Sequence, residues 1–162
     1  MQIVKDRRAL HRIPELDRSL PKTIAYLRTS LEPLNCRVFS PLESCLCAFF
    51  DFDATETIAF RADMDALPIS EKTGAAYAST HPGVMHACGH DCHTAMLLGA
   101  AKILQAHRQE LAGRIVLYFE RGEEHGHGDY YMNKYLQENH IHVDSAWAQH
   151  VRPNLPTGSV AI

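Results

Sequence analysis

Apolar residues recur along this chain at two periods, and the switches between them lay out alternating helices and strands. Residues 4–12 carry helical spacing that ends near Pro14, because a proline disfavours helical geometry in the residue before it. Ile24, Leu27 and Leu31 form the apolar stripe of a second helix, with Pro21 in its first turn and Ser19 as the candidate cap. "CRVFS" (36–40) and "SCLCAFFDF" (44–52) read as strands. "TIAFRADM" (57–64) is a third strand, apolar and then abruptly acidic. Residues 66–87 are rich in Pro, Gly, Ser and Thr without a period, which predicts a long loop. Helical spacing returns from Asp91 to about His107, with Leu97, Leu98, Ala101 and Leu104 on one face and Gly113 as the stop. "RIVLYFE" (114–120) is a strongly apolar strand, 122–127 a loop, and 129–138 a helix. "SAWAQHV" (145–151) is another strand, and "GSVAI" (158–162) begins a last one. Strands alternating with helices indicate an α/β fold.

Composition narrows the class. A length of 162 residues suits one domain and allows about 70% of the unfolded surface to be buried. The net charge of −3 gives no electrostatic reason to expect nucleic acid or an anionic membrane as partner. No stretch approaches the roughly 20 apolar residues of a membrane span, and the N-terminus lacks the apolar run of a secretory signal. The five cysteines are odd in number in a chain too large to need staples, so reduced thiols in the cytoplasm are expected.

Candidate chemistry lies in four polar segments. Three follow predicted strands: "RADMD" (61–65), "GEEHGH" (122–127) and "AQHV" (148–151). The fourth, "MHACGHDCH" (85–93), precedes a helix. Sites in open α/β sheets gather beyond the carboxyl ends of the strands, so all four can converge on one crevice. Cys88 and His90 stand two apart across Gly89, and in extended geometry such residues point to one side. Thiolate and imidazole suit zinc and similar ions. The rival readings are a structural zinc held by Cys88, His90, Cys92 and His93, and a polar loop without metal. Cys92 and His93, in the first helical turn, fit core or supporting roles better than ligation. Glu123 and Glu124 diverge after a strand, so one can bind metal while the other stays free as a base; alone, the pair also reads as a solvated acidic loop. His125 and His127 are further ligand candidates on a glycine-flanked loop. His150 at a strand end is a ligand or a satisfied core histidine. Asp63 and Asp65 alternate, and a carboxylate there suits orienting a ligand histidine.

Together these segments resemble a known family. "RADMDALPI", "MHACGHDCHTAMLLGAAKIL", the glutamate pair after an apolar strand, "QHVRPNLPTG" and the opening "RRALHRIPEL" are similar, in the same order, to the N-terminal half of metal-dependent amidohydrolases. These belong to the aminoacylase/carboxypeptidase metallopeptidase family and include hippurate hydrolase, the indole-acetyl-amino-acid hydrolases and N-acetyl-diaminopimelate deacetylase. The resemblance implies a three-layer catalytic domain with a mixed, largely parallel sheet flanked by helices, incomplete at its C-terminal end. It implies residues 1–162 as the N-terminal portion, without the lid or dimerisation domain or the C-terminal return that brings another histidine ligand. It implies two divalent ions (zinc, or manganese, nickel or cobalt) held by Cys88, His90, Glu124 and His150. Glu123 is then the general base and acid, and Asp65 has the supporting catalytic role. The substrate is a small N-acyl amino acid or dipeptide-like molecule. An uncovered sheet edge suits self-association or pairing with another chain. Three departures stand out: Glu120-Arg121-Gly122 replaces the usual Gln-Pro-Ala, "HGHG" follows the glutamates, and Ile13 stands where a second histidine is usual.

Overall fold

The structure is a computed structural model that describes residues 1–126 and 128–162, the side chain of Asp129 excepted. Helices α1 (Gln2–His11) and α2 (Pro21–Leu31) precede strands β1 (Arg37–Phe39), β2 (Leu46–Phe52) and β3 (Thr57–Asp63). Helix α3 (His90–Ala106), β4 (Gly113–Glu120), α4 (Gly128–Glu138) and β5 (Ser145–Ala148) follow. The five strands form one mixed sheet in the order β1-β2-β4-β3-β5. β1–β2 and β2–β4 are antiparallel, whereas β3–β4 and β3–β5 are parallel. The parallel portion is thus confined to β4-β3-β5, where the polar segments emerge.

Strict alternation in β2 and β4 separates two apolar layers. Leu46, Ala48, Phe50, Phe52, Leu117 and Phe119 face α2 and α3, with Leu27, Leu31, Leu97, Leu98 and Ala101 packed on them. Cys47, Val116 and Tyr118 face the other way, against Met132, Tyr135 and Leu136 of α4. Each fully buried side chain such as Phe50 or Leu117 contributes roughly 1.5–3 kcal/mol relative to exposure. The chain leaves β3 through α3 to β4 on one side. It then returns through α4 to β5 on the other side of β3. The direction reverses about β3, which opens a crevice at the carboxyl ends of these strands.

Several boundaries differ from the sequence reading for physical reasons. Helix α1 begins at Gln2 rather than at residue 4. Ser19 does not cap α2; Leu20 is the cap residue and makes no side-chain bond. The free first-turn donors are met by Glu15, whose carboxylate accepts the backbone N–H of Lys22 (3.0 Å) and Thr23 (2.9 Å). Helix α3 ends at Ala106, before a short 3₁₀ turn, and Gly113 opens β4 instead of stopping the helix. β5 closes at Ala148, and residues 149–151 leave the ladder. "GSVAI" forms no strand and is exposed throughout. All five cysteines are free thiols. No helix among the described residues is long and apolar enough to cross a membrane.

Candidate metal centre

Each polar segment reaches the crevice by a specific local device. Gly89 caps α3 at φ +96°, and a Cβ there would overlap the Cγ2 of Val151, so both counts favour glycine. This turn leaves Cys88 half-buried outside the helix and His90 fully buried as its first residue. His90 donates its Nδ1–H to the backbone carbonyl of Asp65 at 2.8 Å. That bond fixes the tautomer and leaves Nε2 as a lone-pair donor. Nε2 is buried and has no hydrogen-bond partner among the described residues. It lies 3.7 Å from Glu123, 3.8 Å from Glu124 and 3.7 Å from Asp63.

Asp65, fully buried, serves the site through its carboxylate as well. Its two oxygens accept the backbone N–H groups of Glu123 (3.0 Å) and Glu124 (3.1 Å), pinning the turn after β4. The two glutamate side chains then diverge. Glu123 is 38% exposed and Glu124 18%, with Oε1 of Glu124 buried and unpartnered among the described residues. His150 donates Nδ1–H to the Val151 carbonyl at 2.7 Å and turns Nε2 to within 3.4 Å of Cys88 Sγ. Donor atoms of Cys88, His90 and His150 therefore lie within one ion's reach of each other, as do those of His90, Glu123 and Glu124. His90 belongs to both groups.

The electrostatics are those of a site that draws in positive charge. Burial and the nearby Glu124, Glu123 and Asp63 push the Cys88 thiol up to about 11. Burial works against the His90 imidazolium, yet Asp65, Asp63 and Glu124 carry its pKa upward. The Asp63 carboxyl is held below its ordinary value: burial opposes this, but His93, His90 and Arg61 outweigh it. A cation at His90 Nε2 would meet three carboxylates and relieve two orphaned buried acceptors, so the residues present fit a divalent ion.

Other sequence candidates fall outside this cluster. His125 is exposed on its loop, 3.8 Å from Asp17; His127 lies outside the described residues. His93 has both ring nitrogens engaged, Nδ1 with Asp63 at 2.6 Å and Nε2 accepting the Val151 N–H at 2.9 Å. Cys92 is half-buried against Arg7 rather than turned to the crevice. The four-residue knot of Cys88, His90, Cys92 and His93 is therefore not assembled. The sequence reading assigned a carboxylate of this stretch to orient a ligand histidine. The structure gives that task for His90 to the carbonyl of Asp65, while Asp63 orients His93. Sequence reasoning also missed Arg61, which bonds both Asp63 (2.9 Å) and Glu120. The signal was a basic residue two before Asp63 on the same strand face. Beneath α3, Asp91 takes Arg7 and His11 at 2.7 Å each, tying α1 to the start of α3.

Comparison with known proteins identifies the family. Residues 59–162 match the model of peptidase family M20/M25/M40. N-acetyl-L-cysteine deacetylase of Bacillus subtilis is 39% identical over 165 residues, spanning 99% of this chain and 39% of the relative. N-acetyldiaminopimelate deacetylase of Leuconostoc mesenteroides is 35% identical over 96% of this chain and 42% of its own length. The crystal structure of the Bacillus subtilis YXEP protein, a dinuclear metal-binding peptidase of the M20 family, superposes with a TM-score of 0.90 at 35% identity. The match covers 97% of this chain and 44% of that one. The chain thus spans about two fifths of the length of the relatives it matches. With the family model covering most of its residues, the fold shared and the metal-fit crevice in place, this chain belongs to peptidase family M20/M25/M40.

Proposed function

We propose that the chain is the metal-binding N-terminal portion of a hydrolase that cleaves the amide bond of an N-acyl amino acid or small peptide-like substrate. The observation that carries this is the meeting of two buried, unpartnered acceptors, His90 Nε2 and Glu124 Oε1, beside Cys88 and His150. Cys88, His90, Glu124 and His150 are the ligands in this reading. A thiolate, imidazole and carboxylate set suits zinc first, with manganese, nickel and cobalt as alternatives. The dinuclear relative supports two ions.

Bound divalent ions supply charge that acidifies a water and polarises the scissile carbonyl. Glu123 is the open carboxylate: it takes the proton of the attacking water and hands it to the departing amine. Asp65 holds Glu123 and Glu124 apart through their backbone N–H groups, so base and ligand do not exchange places. Cys88 must lose its proton on ligation, so metal uptake releases a proton and strengthens as pH rises.

The deacetylase relatives support a small N-acyl amino acid as substrate. The lid or dimerisation domain and the C-terminal catalytic segment, with a further histidine ligand, belong to the complete enzyme. Location is the cytoplasm, and the free edge of β5 suits self-association. The test is metal analysis followed by assay on N-acetyl amino acids with Glu123→Gln as control. Metal uptake with Glu123-dependent hydrolysis supports the enzyme, and metal without turnover supports a non-catalytic metal-binding remnant. No uptake from a zinc- or cobalt-loaded sample overturns the ligand set.

A further inference from the structure

We propose that His93 is a positioning residue: an Asp63–His93 clamp seats the segment His150–Val151 on the start of α3 and so fixes where His150 faces Cys88. This rests on the ligand set proposed above.

β5 leaves its ladder at Ala148, so the backbone beyond it needs another anchor. Val151 N–H finds one in the His93 ring, at 2.9 Å from Nε2. That bond requires Nε2 to be an acceptor, hence the ring proton to sit on Nδ1. Asp63 enforces this tautomer, because its ionised carboxylate can only accept, and it lies 2.6 Å from Nδ1. The other Asp63 oxygen is held by Arg61 Nη1 at 2.9 Å. Arg61 is in turn paired with the buried carboxylate of Glu120. Glu120, at the end of β4, thus supplies a second carboxylate to the arginine behind the clamp.

The clamp acts on a ligand rather than on packing alone. The His150 and His93 rings meet edge to face with centroids 4.5 Å apart. His150 bonds the carbonyl of the same Val151 whose N–H is held by His93. Moving Val151 therefore moves His150 Nε2 away from Cys88 Sγ. Asp63, His90 and His93 also lie close enough together to suggest a metal group. The engagement of both His93 nitrogens assigns His93 to support instead of ligation.

Asp63→Asn is the sharp test because it keeps shape and changes only donors. Arg61 can only donate, so it retains the amide oxygen and turns the amide NH₂ toward His93 Nδ1. Nδ1 must then accept, the ring proton moves to Nε2, and two donors face each other at Val151. Val151 amide exchange should accelerate in the metal-free protein, read by NMR. Cobalt affinity should fall about tenfold or more, as for other outer-shell partners. The cobalt ligand-field bands should shift while the Cys88 thiolate band persists. His93→Leu should do the same, and His93→Gln, which restores an acceptor for Val151, should recover part of both losses. Unchanged Val151 exchange in Asp63→Asn and His93→Leu together with unchanged cobalt affinity overturns the clamp. If the unaltered chain binds no cobalt, the ligand set fails, and Val151 exchange in the metal-free variants still decides the clamp.

Discussion

Replacing Gly89 by alanine perturbs the fold and the crevice through a single methyl group. Two costs can be worked from the structure. The first is conformational: at φ +96° an L-residue loses about 1–2 kcal/mol, offset by about 0.5–1 kcal/mol because alanine loses less freedom on folding. The second is steric: the new Cβ overlaps Val151 Cγ2, and forced overpacking costs about 1–3 kcal/mol. Val151 is 38% exposed, so it can yield outward, but only by pulling on the bond to His93 and carrying His150 with it. The net loss should be about 1–4 kcal/mol, which for this length lowers Tm by about 2–4 °C per kcal/mol. Urea unfolding of Gly89→Ala, Val151→Ala and the double variant separates the parts. Val151→Ala removes the overlapping methyl, so the double variant should recover the steric share and retain the conformational one. A Gly89→Ala protein within about 0.5 kcal/mol of the parent, or no recovery in the double variant, would refute the reasoning.

Arg61→Leu should be costlier, about 3–5 kcal/mol by urea unfolding, because it takes one cationic partner from two buried carboxylates, Asp63 and Glu120. Its deficit should shrink as pH falls below the ordinary Asp range near 3.8, where protonation removes the charge that Arg61 balances; a pH-independent deficit would contradict the ion-pair account. His86 offers the opposite titration. Burial holds it down to about 4 from 6.5, so between those values the unfolded chain takes up a proton that the native one refuses. Its share of stability is full above pH 6.5 and declines toward pH 4, by up to about 3 kcal/mol. His86→Phe should flatten the parent's fall in unfolding free energy over that window, and an identical slope in the two proteins would show that His86 does not carry it.

Much of the fold was legible because it is written in local periodicity. β2 and β4 alternate strictly between two apolar layers, and α3 presents Leu97, Leu98 and Ala101 at helical spacing. What local pattern cannot carry is the destination of a single hydrogen bond. "SAWAQHV" is uniform enough to extend a strand to residue 151, yet the strand ends early and the Val151 N–H goes to an imidazole on another element. Ser19 has the chemistry of a cap, but Glu15 reaches the same donors from outside the helix. At the site, polar residues after strands did predict a common crevice. The division of labour inside it did not follow from residue type. Asp63 and Asp65 look equivalent in sequence. One orients His93 through its side chain; the other orients His90 through its carbonyl and the glutamate turn through its carboxylate. His90 and His93 likewise share a helix face, and their roles separate only because Val151 satisfies one of them.

The most direct test of the central claim is a cobalt titration read by absorbance, comparing the parent chain with Cys88→Ser and Cys92→Ser. The account predicts a thiolate-to-cobalt charge-transfer band in the parent, its retention in Cys92→Ser, and its loss with weakened binding in Cys88→Ser. No band in the parent, or equal losses in the two variants, would contradict it.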